Sequence, residues 1–304
     1  MMGKRGITYW LIVGLLISLG VTLAACGRQT PEATTQERQG PLVVAASIAP
    51  LGDFARHVGG DEVEVHVLVP PAASPHTYEL TPAQIKLLHR ADVLILNGVG
   101  LEFWAQKVLD TVDNPHLHVV IASEGLEILQ TRGEEGGGNP HLWLDVINAT
   151  LYVAKIRDAF AAVDPGRKDV YMKNGARYIE ELKALDREIM LTVAQFPNKK
   201  FIALHPAWVY FARRYGLEQA AVVEHTPGKE PSPAEIAHIV EVAREIGAKA
   251  IFAEPQFSPK AAQVIAEESG IHVLFLNPLG DPPDYDYIQT MRHNLQELQK
   301  GMGE

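Results

Sequence analysis

From Leu42 onward the chain alternates short apolar runs with amphipathic stretches of helical period. Leu42-Val-Val-Ala-Ala46 reads as a buried strand, and 50–57 as a helix. Val63-Glu-Val-His-Val-Leu-Val69 has the period of two expected of a strand. Thr81 and Pro82 open a helix to 90, with Thr81 as N-cap and Pro82 at the first helical position. A strand at 92–96, a helix at 101–110, a strand at 118–121 and a helix over 146–163 follow. Strand and helix alternating at this spacing predict a parallel α/β sheet.

The longest periodic segment is 168–196, free of proline and with Gly175 as its one internal glycine. Val170, Met172, Ile179, Leu182, Leu185, Ile189 and Val193 recur mostly at three or four positions. About 27 helical residues would span about 40 Å, more than a crossover helix needs. After Pro197 the alternation restarts, with strands at 201–204, 219–223, 250–253 and 272–276. Helices at 208–215, 233–246 (capped by Ser232), 259–269 and 285–299 separate them. The fold class is therefore α/β, with two parallel-sheet lobes, 41–165 and 197–304, joined by one long linking helix at 166–196. A chain of 304 residues has room for two such lobes. The stretch 131–138, rich in Gly and Glu, reads as a mobile surface loop.

The first 40 residues follow a different pattern. Lys4 and Arg5 precede an uncharged apolar run, 7–25, that ends Leu23-Ala24-Ala25-Cys26-Gly27. A basic start, an apolar core and small residues before a cysteine form the pattern of a bacterial lipoprotein signal over 1–25, with lipid on Cys26. The alternative is an uncleaved anchor helix. The polar segment 26–40 then reads as a flexible tether. The expected location is outside the cytoplasm, on a membrane surface facing the periplasm or the extracellular space.

Charge and composition narrow the chemistry. The net charge is −10, and removing residues 1–25 takes away Lys4 and Arg5 and no acid, leaving −12. Such a surface argues against a nucleic-acid partner. With one Cys, neither an intrachain disulfide nor a cysteine-cluster metal site can form, whereas there are twelve histidines.

Ligands of open α/β sheets bind beyond the carboxyl ends of the strands. His76 lies in the loop after 63–69, His141 in Asn139-Pro-His-Leu-Trp-Leu-Asp145, and His205 directly after 201–204, each with a neighbouring proline to restrict its backbone. Two fall in the first half and one in the second, so a site using all three bridges the halves. Three neutral imidazoles suit Zn²⁺, with a fourth position for water, an amide or a carboxylate. A loop histidine is more often a solvated or capping residue, and spacing leaves both readings open. Of the other nine, His57, His89, His238 and His293 read as helix-surface residues, and His225 is a second-tier candidate.

At these motifs the sequence resembles the metal-binding lipoprotein receptors of ABC importers, the solute-binding protein 9 family (cluster A-I). The matching segments are Pro75-His-Thr-Tyr-Glu79, Asn139-Pro-His-Leu-Trp-Leu-Asp145, His205-Pro-Ala-Trp208 with Tyr210-Phe-Ala-Arg-Arg-Tyr-Gly216, Pro227-Gly-Lys-Glu-Pro-Ser-Pro233, Phe252-Ala-Glu-Pro-Gln-Phe257, and Pro278-Leu-Gly280 with Asn294. They occur in order from about residue 42 to the end.

The resemblance implies a rigid linking helix, metal held between the lobes, limited hinge motion, and a monomer that docks on an ABC permease. It puts the first three ligand positions on His76, His141 and His205. Manganese members tend to have a carboxylate at the third, so His205 points to Zn²⁺ rather than Mn²⁺. The fourth family position, commonly Asp, is Asn277 here, which leaves water, Asn277, Glu254 or Asp281 as fourth donor, with Glu254 favoured for a structural hydrogen bond instead. The His-rich loop of many zinc members is replaced by Glu134, Glu135 and glycines. Affinity should fall as pH drops toward the ordinary histidine pKa of about 6.5. Competing readings are a manganese or iron receptor, a surface adhesin, and a zinc hydrolase using Glu254. No His-Glu-x-x-His segment or nucleophile elbow supports the last, so the chain reads as no enzyme.

Overall fold

The computed structural model describes residues 39–70, 73–131, 137–226, 229–280 and 285–303. The signal segment, Cys26, the core of the 131–138 loop with Glu134 and Glu135, and Asp281 lie outside the described residues.

Seventeen regular strands and α-helices follow in chain order among the described residues. The first half contains β1 (Leu42–Ala46), α1 (Ala49–Gly59), β2 (Val63–Val67), α2 (Pro82–Leu88), β3 (Val93–Leu96), α3 (Ala105–Leu109), β4 (His118–Ile121) and α4 (Val146–Val163). The long helix is α5 (Lys168–Ala194). Then come β5 (Lys200–Ala203), α6 (Val209–Tyr215), β6 (Glu218–Val222), α7 (Pro233–Glu245), β7 (Ala250–Ala253), α8 (Lys260–Ser269), β8 (His272–Phe275) and α9 (Tyr287–Met302). Both sheets are wholly parallel, in the orders β2-β1-β3-β4 and β6-β5-β7-β8. The first sheet is drawn from residues before α5 and the second from residues after it. In each, the chain switches sides next to the first strand, β1 or β5, which is where such folds open a crevice at the strand ends.

Side chains alternate across both sheets as the period of two requires. Val44, Ala46, Val93 and Ile95 face a central core, while Ala45, Leu94 and Leu96 face an outer one with Leu88, Trp104 and Val108. Phe201, Ala203, Ala250 and Phe252 join the same central core, and Ile202, Leu204, Ile251 and Ala253 face outward under α7 and α8. One apolar core thus runs from the first sheet through α5 into the second.

Caps match the sequence. Gln84 N donates to Thr81 Oγ1 at 3.3 Å while Thr81 N donates to Gln84 Oε1 at 2.9 Å. Ser232 and Glu235 form the same reciprocal pair.

Three details depart from the sequence reading. The start of α5 buries Tyr171, Gly175 and Tyr178 rather than Val170, Met172 and Ile179. Both tyrosines bury their rings and satisfy their hydroxyls on acids, Tyr171 on Asp164 at 2.9 Å and Tyr178 on Asp53 at 2.8 Å. Residues 101–104 are not α-helical, because Glu102 turns inward to accept from Asn97 N and Gly98 N at 2.8 and 2.9 Å. Helix α9 runs on to Met302 past 299: a Cβ on Gly301 would lie 2.7 Å from Phe252 Cζ, so glycine lets the helix end pack on the sheet.

Candidate metal centre

The carboxyl ends of the two sheets bring His76, His141 and His205 together. Each offers one ligand atom, and the three atoms lie within 4.8 Å of one another. The Nε2 of His141 is 3.2 Å from Nε2 of His76 and 3.1 Å from Nε2 of His205. His141 and His205 are buried and His76 is partly exposed. No other group of three His, Cys, Asp or Glu residues with metal-binding geometry occurs among the described residues, and His225 stands outside the cluster.

Two rings have their tautomer set from behind. Nδ1 of His141 lies 2.9 Å from Asn139 Oδ1, and Nδ1 of His205 lies 2.5 Å from Glu254 Oε1. Both oxygens are acceptors, because Asn139 Nδ2 is already committed as a donor to the Pro206 carbonyl at 2.7 Å and to Thr131 Oγ1 at 3.1 Å. The Nδ1 atoms therefore carry the protons, and the Nε2 lone pairs of His141 and His205 face each other. Lone pairs 3.1 Å apart repel unless a cation lies among them. Tetrahedral zinc with Zn–N of about 2.0–2.1 Å sets its nitrogens about 3.3 Å apart. The two separations from His141 are close to that, and the His76 and His205 nitrogens lie within 4.8 Å of each other.

Burial, followed by repulsion from His205 when charged, holds the pKa of His76 down to about 3. The same causes, with His76 adding to the repulsion, keep His141 well below its ordinary value. Neutral, deprotonated imidazoles are the metal-binding form.

The surrounding frame ties the lobes at this point. Asn139 bridges His141 to the backbone beside His205 through Pro206. Tyr210 OH donates to the Asn139 carbonyl at 2.8 Å. Trp143 Nε1 donates to the Pro278 carbonyl at 2.9 Å, and Tyr287 OH to the Trp143 carbonyl at 2.6 Å. Asn97 Nδ2 donates to the Pro140 carbonyl at 2.8 Å, and Asn97 is in turn fixed by Glu102 and by Tyr152 OH. Next to Asn97, Val99 adopts φ of 54°, a strained value for a β-branched residue. Sequence reasoning missed these supports. Only Asn139 left a signal, since an Asn two residues before a ligand candidate often folds its side chain onto that residue's backbone.

The three imidazoles, with Trp143, Phe257 and Leu279 among the walls, enclose a cavity of about 10 Å³, counted as room for the centre of a water. That is space for one small guest. The family model described as "ZnuA: Zinc-uptake complex component A periplasmic" matches residues 44–301. The chain belongs to the ZnuA family.

Among ZnuA-type relatives, the zinc-binding lipoprotein AdcA of Streptococcus pneumoniae is 31% identical over 94% of this chain. The match spans only 60% of AdcA's own length. The high-affinity zinc uptake system protein ZnuA of Bacillus subtilis is 28% identical over 96% of this chain and 98% of its own. A crystal structure of ZnuA superposes with a TM-score of 0.80 at 33% identity, covering 86% of this chain and 99% of that one. Two α/β lobes and a long helix are thus the architecture of the ZnuA family as well as of this chain.

The remaining candidates are placed as follows. Asn277 Oδ1 accepts from Leu279 N at 3.1 Å, Gly280 N at 2.9 Å and Gln256 Nε2 at 2.9 Å. Its backbone is locked to Asn294 in both directions at 2.8 Å. Glu254 is buried against His205. His57, expected at the surface, instead stacks on Tyr178 with ring centroids 3.9 Å apart and lies 3.4 Å from the Asp53 carboxylate. No helix among the described residues is long and apolar enough to cross a membrane.

Proposed function

We propose that this protein is an extracytoplasmic receptor that captures Zn²⁺ between its lobes and hands it to an ABC permease. His76, His141 and His205 are the three protein ligands. The observation that carries the reading is the pair of Nε2 separations, 3.1 and 3.2 Å, between imidazoles two of which have their Nδ1 protons fixed on other partners. AdcA is a zinc-binding lipoprotein and the Bacillus subtilis relative a zinc uptake protein, which supports the choice of metal. An all-imidazole, carboxylate-free set also favours zinc over manganese.

The first 25 residues act as a lipoprotein signal, and lipid on Cys26 holds the receptor at the membrane, where its local concentration near the permease is raised. A cavity sized for one small guest supports carriage of an ion rather than hydrolysis of an ester or phosphate.

Elemental analysis of the purified protein and of a His205→Ala variant tests the reading. One zinc per chain in the parent and a large loss in the variant are expected. Stoichiometric zinc in the variant would sink the proposed site. Tighter binding of Mn²⁺ than of Zn²⁺ in competition calorimetry would move the specificity to manganese.

A further inference from the structure

Away from the metal centre, the imidazole of His57 is built into the junction of α1, α5 and the start of α9. Its ring lies flat on that of Tyr178 from α5, with centroids 3.9 Å apart and planes 12° apart. Its Nδ1 is 3.1 Å from the carbonyl of Asp53, one turn back on α1, and 3.4 Å from Oδ1 of the same residue. The other carboxylate oxygen, Oδ2, accepts from Tyr178 OH at 2.8 Å and from Tyr287 N at 3.3 Å. One buried carboxylate thus gathers a group from the first lobe, one from the linking helix and one from the last helix of the second lobe.

A stack on Tyr178 does not need an imidazole, since a phenyl ring would fill the same place. What the imidazole adds is a second site for a proton beside acids. Two acids face it: Asp53 from its own helix and Asp286, the N-cap of α9. The remaining titratable neighbours are tyrosines, Tyr178 from α5 and Tyr285 and Tyr287 from the start of α9. Burial, then the charge of Asp53, pushes the hydroxyls of Tyr178 and Tyr285 up, and burial does the same for Tyr287, so all three keep their protons. Imidazole is the side chain whose ordinary pKa lies between pH 5 and 8. For His57, burial pulls that value down, but the hydrogen bond to Asp53 and the charges of Asp53 and Asp286 outweigh it, and the value is raised.

We propose that His57 is an acid-strengthened clamp at the junction of the lobes: on taking a proton it is held as a cation between the Asp53 and Asp286 carboxylates and the face of Tyr178, and it fastens α1, α5 and the start of α9 to one another. A cation over a tyrosine face is attracted by the ring's quadrupole, so the stack gains strength with the charge. Neither the clamp nor its test involves the metal.

The direction of the effect follows from linkage. The folded chain holds the His57 proton more tightly than the unfolded chain does. The contribution to stability is therefore complete below about 6.5 and is lost as pH rises through the raised folded value. His76 and His141, whose values are lowered, act in the opposite sense as pH falls. His57 offsets part of their cost, and it does so where the lobes join rather than at the cavity.

The test uses the full-length protein freed of metal and the variant His57→Phe, which keeps a ring on Tyr178 and cannot take a proton. Melting temperatures are measured from pH 8.5 to 5.5. The parent should gain on the variant as pH falls, the difference between them growing by about 2 °C or more. The effects of His76 and His141 are common to both proteins and cancel. A difference that is the same at every pH would mean that His57 only fills space, and that result overturns the proposal. Proton NMR of the histidine ring C–H groups gives a second readout. The parental resonance that disappears in the variant should titrate above 6.5, and titration at or below 6.5 overturns the proposal as well. If His57→Phe does not fold, His57→Gln takes its place in both measurements.

Discussion

Nδ1 of His141 lies 2.9 Å from Oδ1 of Asn139, and the amide nitrogen of the same asparagine holds the Pro206 carbonyl of the other lobe at 2.7 Å. One side chain thus orients a candidate ligand and fixes the backbone next to another. Asn139→Ala should weaken zinc binding by about ten- to a hundredfold, as loss of a partner behind a ligand usually does. Calorimetric competition with a chelator of known affinity measures it. A change below twofold would show that the ring is held by other means.

The pH dependence follows from burial. His76 is held down to about 3 and His141 well below 6.5, so both stay neutral in mildly acidic solution. Each ordinary imidazole would weaken binding about tenfold at one pH unit below 6.5. We expect a loss between pH 7.5 and 5.5 far smaller than the roughly thousandfold that three ordinary imidazoles would give. Titration of zinc affinity against pH checks this.

The same depressed values act on the metal-free protein with a definite sign. Below 6.5 the unfolded chain binds protons that the folded chain refuses. The contribution to stability is therefore complete above about 6.5 and is lost as pH falls from there toward about 3. The melting temperature of metal-free parent should drop over that range more steeply than that of His76→Gln.

Tyr178 on α5 donates to Asp53 of α1 at 2.8 Å, and the same carboxylate oxygen accepts from Tyr287 N at the start of α9 at 3.3 Å. Tyr178→Phe should destabilise the protein by about 1–3 kcal/mol, because a buried carboxylate loses a donor. Zinc stoichiometry should be unchanged. Urea unfolding of the two proteins separates these effects.

Trp143 is fully buried, with its ring centroid 5.2 Å from that of His141. Zinc should therefore change tryptophan fluorescence, and Trp143→Phe should abolish most of the change while one zinc still binds per chain. A full signal in the variant would assign it to another tryptophan.

Much of this architecture was legible because it depends on short-range pattern. The period of two in Val63–Val67 and the Thr81-Pro82 and Ser232-Pro233 starts are local, and the structure keeps them. The three histidines were visible as strand-end residues beside prolines. What was hidden depends on partners distant in sequence. Glu102 draws the chain out of helix by bonding to Ser47, 55 residues earlier, as well as to its neighbours. The buried face of α5 begins with tyrosines because Asp53 lies 125 residues away from Tyr178 and still meets it. The role of Asn277 could not be read from its identity, since the Gln256 and Leu279 bonds that occupy its oxygen appear only once the loop is folded.

His141 and His205 are braced by Asn139 and Glu254, whereas the single hydrogen-bond contact of His76 among the described residues is to His141 itself. His76 also sits on an irregular loop after β2, an edge strand of its sheet, and is only partly buried. Asn139, Tyr210 and Trp143 meanwhile bond one lobe to the other. On the proposed zinc-receptor reading, His76 is the ligand expected to let go first, so the off-rate should depend on one loop rather than on the whole molecule.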